Sequence, residues 1–547
     1  MKSLILDCFV DEPACFGVPP FVSPYPRYIY GALVSSGLSP DDIDYMTIET
    51  LRERELRISE HYDAVYLVGG AVVPGKYLGH RIGTYKEILA IIQANRSLFF
   101  AAGGLVGRLL AKDNLPNAVA ISCDIEQYAA TRTAGNAQDA LRSYRELDRW
   151  SILGAEAVRR HSDYPDIIAE IETYRGCPRQ THCSFCSEHI FDSIVFREAG
   201  AVLAEIDALI AQGVSRFRIG RQADILAYGS KMAEYRSGFP KPEPRAVEEL
   251  FSQLKARRDA GKIKVLCIDN ANPGTIANFP EESERCIAAI VDALTPGDTM
   301  PLGIESFDPA VSAKNNLKVT VEQAIEVVRL INRIGGVRRD GVPVLLPGIN
   351  LIHGLPGETK ETFRINYEAL CRMRDEGLLL KRINIRTLSP FPGTAAAENA
   401  PRMNAGLVNR YEFYRDKIRD EIDRVMLERI YPEGTVLRDQ RVVDTLHDYS
   451  FARPLQSYAI TMKIPRRLEV GSAVDCVVTG PRERSISALD LPVKINSLPA
   501  KALESISGVS RSAASDIILK RPVRSAEELL AIVPTFSKNI LPHVSFE

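Results

Sequence analysis

Three cysteines fall within ten residues, at Cys177, Cys183 and Cys186, directly after the apolar run Ile167 to Thr173. That spacing forces a short irregular loop at the end of a strand. It also presents three thiols to one point. A structural zinc site closes its shell with four ligands, and His182 or His189 stands close enough in sequence to be the fourth. An iron–sulfur cluster held by only three thiolates keeps one iron open to a further ligand. The loop by itself admits both readings. A disulfide is not expected. The chain shows no apolar stretch near 18 residues and no basic, apolar leader, so it reads as a cytoplasmic protein with reduced thiols and no membrane partner. The other seven cysteines (Cys8, Cys15, Cys123, Cys267, Cys286, Cys371, Cys476) are scattered singly, as buried apolar residues are.

The 547 residues imply several domains. Residues 1–150 alternate strand and helix. The runs Leu4 to Leu6, Ala64 to Val68, Ser97 to Ala102 and Val119 to Ser122 are strands, and Tyr28 to Ser36 and Tyr85 to Gln93 have helical spacing. This predicts an α/β fold, a doubly wound parallel sheet. Ligands of such sheets bind beyond the carboxyl ends of the strands. Those ends carry Gly69-Gly70 and Gly103-Gly104, where the backbone can approach a large ligand. Tight turns alone would also account for the pairs.

Residues 166–397 hold a second alternating series. Strands are expected at Ile167 to Thr173, Phe217 to Gly220, Val265 to Asp269, Leu302 to Ser306, Gly348 to His353 and Ile383 to Arg386. Six strands with intervening helices suit a partial (β/α)6 barrel, whose chemistry lies at the C-terminal strand ends. The Cys loop, Arg221, Gln222, Asp224, Asn270, Glu305, Ser306, His353 to Glu358 and Arg386 all fall there. His353 lies in an apolar strand, which suits a satisfied core residue. Residues 398–450 read as a helical connector, 451–495 as a small β-module, and 496–547 as a helix-hairpin-helix around Ser507 to Ser510. A net charge of −2, one Trp and 7% aromatic residues argue against a general nucleic-acid-binding surface. In the tail, Gly508, Arg511, Lys520, Arg521 and Arg524 suit a phosphate backbone. Glu504, Asp516, Glu527 and Glu528 dilute that charge and suit a protein-docking module.

Taken in order, these elements resemble the radical S-adenosylmethionine (SAM) enzymes. The resemblance rests on Ile171 to Cys177 with Cys183, Phe185 and Cys186, then Gly303-Ile304-Glu305-Ser306, Gly354-Leu355-Pro356-Gly357-Glu358-Thr359 and Ser389-Pro390-Phe391-Pro392-Gly393-Thr394. Two departures stand out. Five residues separate the first two cysteines instead of three, and Gly220-Arg221-Gln222 replaces the usual Gly-Gly-Glu. The resemblance implies a 4Fe–4S cluster on Cys177, Cys183 and Cys186, with SAM on the open iron and an external low-potential electron donor. Phe185, Gln222, Glu305, Ser306 and Arg386 would contact SAM. The first 150 residues resemble the cobalamin-binding domain of the cobalamin-dependent branch, without the Asp-x-His-x-x-Gly motif that gives cobalt a histidine. Gly69, Gly70, Gly103 and Gly104, with Tyr66, Val72, Val73 and His80, would line the corrinoid. The whole is similar to archaeal radical SAM proteins with a C-terminal helix-hairpin-helix. This implies a methyltransferase using methylcobalamin on an unactivated carbon of a protein side chain, such as a glutamine Cα in the α subunit of methyl-coenzyme M reductase. An RNA-modifying methylthiotransferase is the alternative.

Overall fold

The N-terminal apolar runs become five parallel strands: β1 (Ser3–Asp7), β2 (Ile43–Thr47), β3 (Ala64–Val68), β4 (Phe100–Gly103) and β5 (Ala118–Ala120). The computed structural model describes residues 1–547 apart from 13, 71–78, 191–193 and 400–402; of Ile190 it describes only the backbone. The sheet order is β2-β1-β3-β4-β5, parallel throughout. β1 and β3 are continuous buried runs because both sheet faces are covered. Ile48, Leu51, Ile88, Ile91 and Val106 pack on one face, and Ile29, Leu33, Ile125 and Ala129 on the other. The strand order reverses at β1 and β3, which opens a crevice at their carboxyl ends.

Six further strands form the second layer: β6 (Ile168–Glu172), β7 (Arg216–Gly220), β8 (Val265–Ile268), β9 (Asp298–Glu305), β10 (Leu345–His353) and β11 (Arg382–Thr387). β6, β7 and β8 pair in parallel, as do β9, β10 and β11, and a bridge from Ala271 to Leu302 joins the two arcs. The result is a partial barrel of six strands, open between β11 and β6.

Segments from both ends of the chain fill that seam. The short strand Phe21–Val22 adds in parallel to the free edge of β6. Phe16, on the hairpin Val10–Glu12/Cys15–Gly17, packs edge-on against Phe21 at 5.4 Å and against Tyr458 at 5.8 Å. Tyr458 lies under the Arg382 guanidinium of β11 at 5.2 Å. Beneath Phe16, 4.1 Å away, lies the Arg218 guanidinium, fully buried and ion-paired to Glu170 and Asp269.

The helical connector runs Ala405–Ile418 and Arg424–Ile430, with one wide turn at Arg419–Asp423. The β-module begins earlier than the expected 451. It comprises β12 (Val436–Leu446), β13 (Tyr449–Arg453), β14 (Thr461–Ile464), β15 (Ala473–Pro481) and β16 (Ser485–Asp490). β12 was obscured in the sequence because bulges at Leu437/Gln440 and Val442/Asp444 break the alternation, while Arg438, Asp439 and Asp444 face out. The five strands close in the order β12-β13-β14-β16-β15, with β14 parallel to β16, the arrangement of an OB-type barrel. Tail helices Ala500–Leu503, Arg511–Leu519 and Ala526–Ile532 pack on it through Leu503, Ile517 and Leu529. Gly508 (φ +82°) faces inward, and a Cβ there would lie 1.6 Å from the Thr535 carbonyl oxygen. This turn therefore packs on the chain itself. No helix among the described residues is long and apolar enough to cross a membrane.

Replacing Arg218 by Met would strand Glu170 and Asp269 in the barrel interior. The expected loss is about 3–5 kcal/mol of stability. Urea unfolding of the full chain checks this; an unchanged midpoint contradicts the role given to Arg218.

Candidate active site

The carboxyl ends of the N-terminal sheet face the C-terminal mouth of the barrel. Between them lies a cavity of about 710 Å³. Its N-terminal wall includes Asp11, Glu12, Phe16, Gly70, Thr84, Tyr85 and Val106. Its barrel wall includes Cys177, Cys183, Cys186, Asn270, Gly303, Glu305, Asn350 and Arg386, and Tyr458 closes one side.

All three loop thiols line this cavity, and none is in a disulfide. The loop is tied down on two sides. Ser184 N donates to the Asn315 carbonyl (3.2 Å) and Ser184 Oγ to Asn315 Oδ1 (2.6 Å), while Gln180 N donates to the Gly238 carbonyl (3.0 Å). Burial pushes the Cys177 thiol up to about 11 and Cys186 well above the usual range. Bare thiols in such a place stay protonated, so a metal centre is needed to hold them as thiolates. His182 and His189, the candidate fourth ligands, turn ring nitrogens toward the carbonyls of Cys177 (3.4 Å) and Cys186 (2.5 Å). Among the described residues no three His, Cys, Asp or Glu side chains converge on a point fit for a single ion. Three thiols around one shared space suit a larger, multi-iron group.

Glu305 and Lys318 stand beside the thiols. Lys318 Nζ donates to the Gly303 carbonyl (2.5 Å) and lies 3.8 Å from Glu305 Oε1. Glu305 sits at φ +68°, a costly conformation for a residue with a Cβ, and one of its oxygens is buried without a partner. Burial raises its carboxyl pKa, against the pull of Lys318 and Arg386. Gly303 makes the room: a Cβ there would lie 2.7 Å from Lys318 Nζ and 2.8 Å from Glu305 Oε1. The site thus offers a buried carboxylate acceptor, an ammonium and a guanidinium, partners for the amino and carboxylate groups of an amino acid.

Several expected contacts go elsewhere. Gln222 Nε2 donates to the Ile219 carbonyl (2.9 Å), its oxygen accepts from Thr173 Oγ1 (3.1 Å), and it does not line the cavity. Arg221 is buried against Glu188 (3.1 Å) and the Tyr25 hydroxyl (2.8 Å). Ser306 accepts from Asp308 N (3.2 Å) in the turn after β9. Asp224 accepts from Thr275 Oγ1 (2.6 Å) and the amides of Asn272 and Leu226. His353 bonds Glu358 (2.9 Å) and stacks on Phe363, so it is a satisfied core residue. Of the four sheet-end glycines only Gly70 lines the cavity. Gly104, at φ +73°, lets its backbone close on the Gly69 carbonyl, while Gly103 packs under Ile125. Tyr66 is buried in the sheet core, His80 bonds Glu49 (2.6 Å), and Val72 and Val73 lie outside the described residues.

Four further lining residues were not singled out as site residues, although Asp269 ends an expected strand and Arg179 lies in the Cys loop. Asp11 and Asp269 each keep one buried oxygen without a partner at the cavity wall, and burial raises them to about 6 and about 7. Arg179 and Tyr458 belong to the wall as well.

Residues 171–370 match the family model of the radical SAM superfamily. This stretch of the chain is a radical SAM domain. An uncharacterized protein of Archaeoglobus fulgidus is 37% identical over 535 residues, 97% of each chain. One of Methanocaldococcus jannaschii is 38% identical over 510 residues, 89% of this chain and 92% of the relative. The ribosomal protein uS12 methylthiotransferase of Geobacter sulfurreducens is 25% identical over 246 residues, 44% of this chain and 47% of that protein. Among solved structures, the radical SAM methyltransferase TsrM from Kitasatospora setae, with cobalamin and a 4Fe–4S cluster bound, aligns at TM-score 0.45 and 16% identity, covering 72% of this chain and 77% of that one. The cobalamin-dependent radical enzyme OxsB aligns at TM-score 0.46 and 13% identity, covering 77% and 55%. The cofactors that belong to a radical SAM domain are a 4Fe–4S cluster and SAM, and the three-thiol loop and the Glu305–Lys318–Arg386 wall fit them.

Gly303→Ala should push Lys318 and Glu305 apart. The reconstituted variant is expected to keep its iron but bind SAM about tenfold more weakly, a change of roughly 1.4 kcal/mol. Equilibrium dialysis with labelled SAM measures this; wild-type affinity would contradict the arrangement.

Proposed function

We propose that the chain is a cobalamin-dependent radical SAM methyltransferase that methylates an unactivated carbon of a protein side chain. The observation that carries the reading is the single cavity shared by the three thiols and the crevice of a doubly wound sheet. That crevice is where such a sheet takes a flat, extended cofactor, and the chain carries no Asp-x-His-x-x-Gly motif. Cys177, Cys183 and Cys186 hold the cluster; when bound, it supplies the electron that cleaves SAM and opens radical chemistry at carbon. Glu305 accepts from the SAM amino group, and Arg386 and Lys318 donate to its carboxylate. Phe16 on the N-terminal wall and Tyr458 at one side give the cavity aromatic surface that would exclude water. A glutamine Cα, as in the α subunit of methyl-coenzyme M reductase, is the specific substrate this reading puts forward, and an external low-potential protein is the electron donor.

The OB-type barrel favours one other reading, RNA modification by a methylthiotransferase-like enzyme. A second cluster in the N-terminal domain would then be expected. Of the three cysteines there, Cys8 and Cys15 lie in cores on opposite faces of the sheet, and Cys123 is half-buried beyond β5.

Anaerobic reconstitution of the full chain tests both. About one corrinoid and one four-iron cluster per chain are expected, with SAM cleavage under a strong reductant. Cys183→Ala should lose the cluster absorbance and all SAM cleavage. Mass spectrometry of protein and RNA substrates with methyl-labelled SAM then identifies the acceptor. Absence of tightly bound corrinoid would sink the methylcobalamin reading, and full SAM cleavage by the Cys183 variant would sink the ligand assignment.

A further inference from the structure

The five-residue gap between Cys177 and Cys183 is longer than the superfamily's usual three, and Arg179 lies inside it. Its guanidinium folds back along the loop. Nη1 donates to Cys183 Sγ at 3.2 Å and to the Asn316 carbonyl at 3.0 Å. The guanidinium also stands 4.7 Å above the ring of Phe239. The residue is 7% exposed, too buried to be a solvated surface charge. Among the described residues it has no carboxylate partner. A buried guanidinium in that state leaves a positive charge to be balanced. Its two acceptors are the Asn316 carbonyl and the sulfur of Cys183, which would be a thiolate once it held a cluster. Lys318 adds a second cation at the same wall, 3.8 Å from Glu305 Oε1.

The surroundings hold Arg179 in place. Asn316, at φ +52°, follows the helix Pro309–Lys314, and its Nδ2 donates to the His182 carbonyl (3.2 Å), so the far side of the loop is anchored by the residue that receives Arg179. Gln180 is tied to Gly238, next to the Phe239 ring. The lengthened gap therefore has a definite product, a cation fixed on a ligand sulfur.

We propose that Arg179 is a positioning residue that sets the reduction potential of the cluster, by donating to the Cys183 sulfur and offsetting the charge gained on reduction. This rests on the assignment of a 4Fe–4S cluster to the three thiols. Reduction adds one electron from an external one-electron donor and makes the cluster more negative. A fixed cation and a hydrogen bond to the ligand sulfur stabilise that state and raise the potential.

The test is an anaerobic redox titration of the reconstituted full chain, followed by electron paramagnetic resonance, on wild type, Arg179→Met, Arg179→Gln and Arg179→Lys. The neutral variants should hold wild-type iron and show a midpoint clearly more negative than wild type. Arg179→Lys should recover part of the difference. Resonance Raman should show an altered iron–thiolate stretch in Arg179→Met, as expected when the sulfur loses its donor. A neutral variant with full iron and the wild-type midpoint overturns the proposal. So does loss of iron in both neutral variants with full retention in Arg179→Lys, which would make Arg179 a structural brace. A wild-type chain that assembles no cluster refutes instead the ligand assignment beneath it.

Discussion

A guanidinium sealed inside the barrel governs the rest of the molecule. Arg218 projects from β7 into a space that six strands cannot enclose, and it is balanced there by Glu170 of β6 and Asp269 beyond β8. Two carboxylates and one guanidinium out of water are tolerated only when paired and covered. The cover is Phe16, brought by the first seventeen residues, with Tyr458, brought by a loop more than 400 residues later. The open seam between β11 and β6 is thus closed by the two ends of the chain. This is why the N-terminal sheet, the barrel and the OB-type module meet at one place, and why the cavity has walls from all three.

Inside that cavity burial and charge act against each other. Low polarity lifts Cys177, Cys186, Glu305, Asp11 and Asp269 toward their neutral forms. Arg179, Lys318 and Arg386 pull back toward the ionised forms. Such a balance keeps several groups ready to change partner when a cofactor enters, since Glu305, Asp11 and Asp269 each keep one buried oxygen without a hydrogen bond. Gly303 shows how little space the balance leaves, with an ammonium and a carboxylate each within 3 Å of where a side chain would begin.

Much of this could be read from the chain. The thiol loop, Phe185, Glu305 and Arg386 were expected at strand ends and all line the cavity. Gln222, Ser306 and Asp224 also sit at strand ends, yet each folds back to satisfy a neighbouring backbone or hydroxyl group. A polar residue after a strand can turn into the mouth or back along its own turn, and the choice rests on partners distant in sequence. The glycine pairs divide in the same way, Gly70 facing the cavity and Gly104 permitting a close backbone approach to Gly69. Asp11, Phe16 and Tyr458 carried no signal, because none lies at the end of a predicted barrel strand.

The sequence by itself determined most of the elements and the crowding of the thiols: period-two and period-3.6 patterning writes the strands and helices, and ten residues of chain carry all three thiols on one loop. Tertiary structure decided which charges are buried, which ends of the chain seal the barrel, and where Arg179 points. Those outcomes depend on contacts between residues far apart in the chain, and burial, which sets the energy of every charge in the site, is a property of the assembled fold and of no single segment.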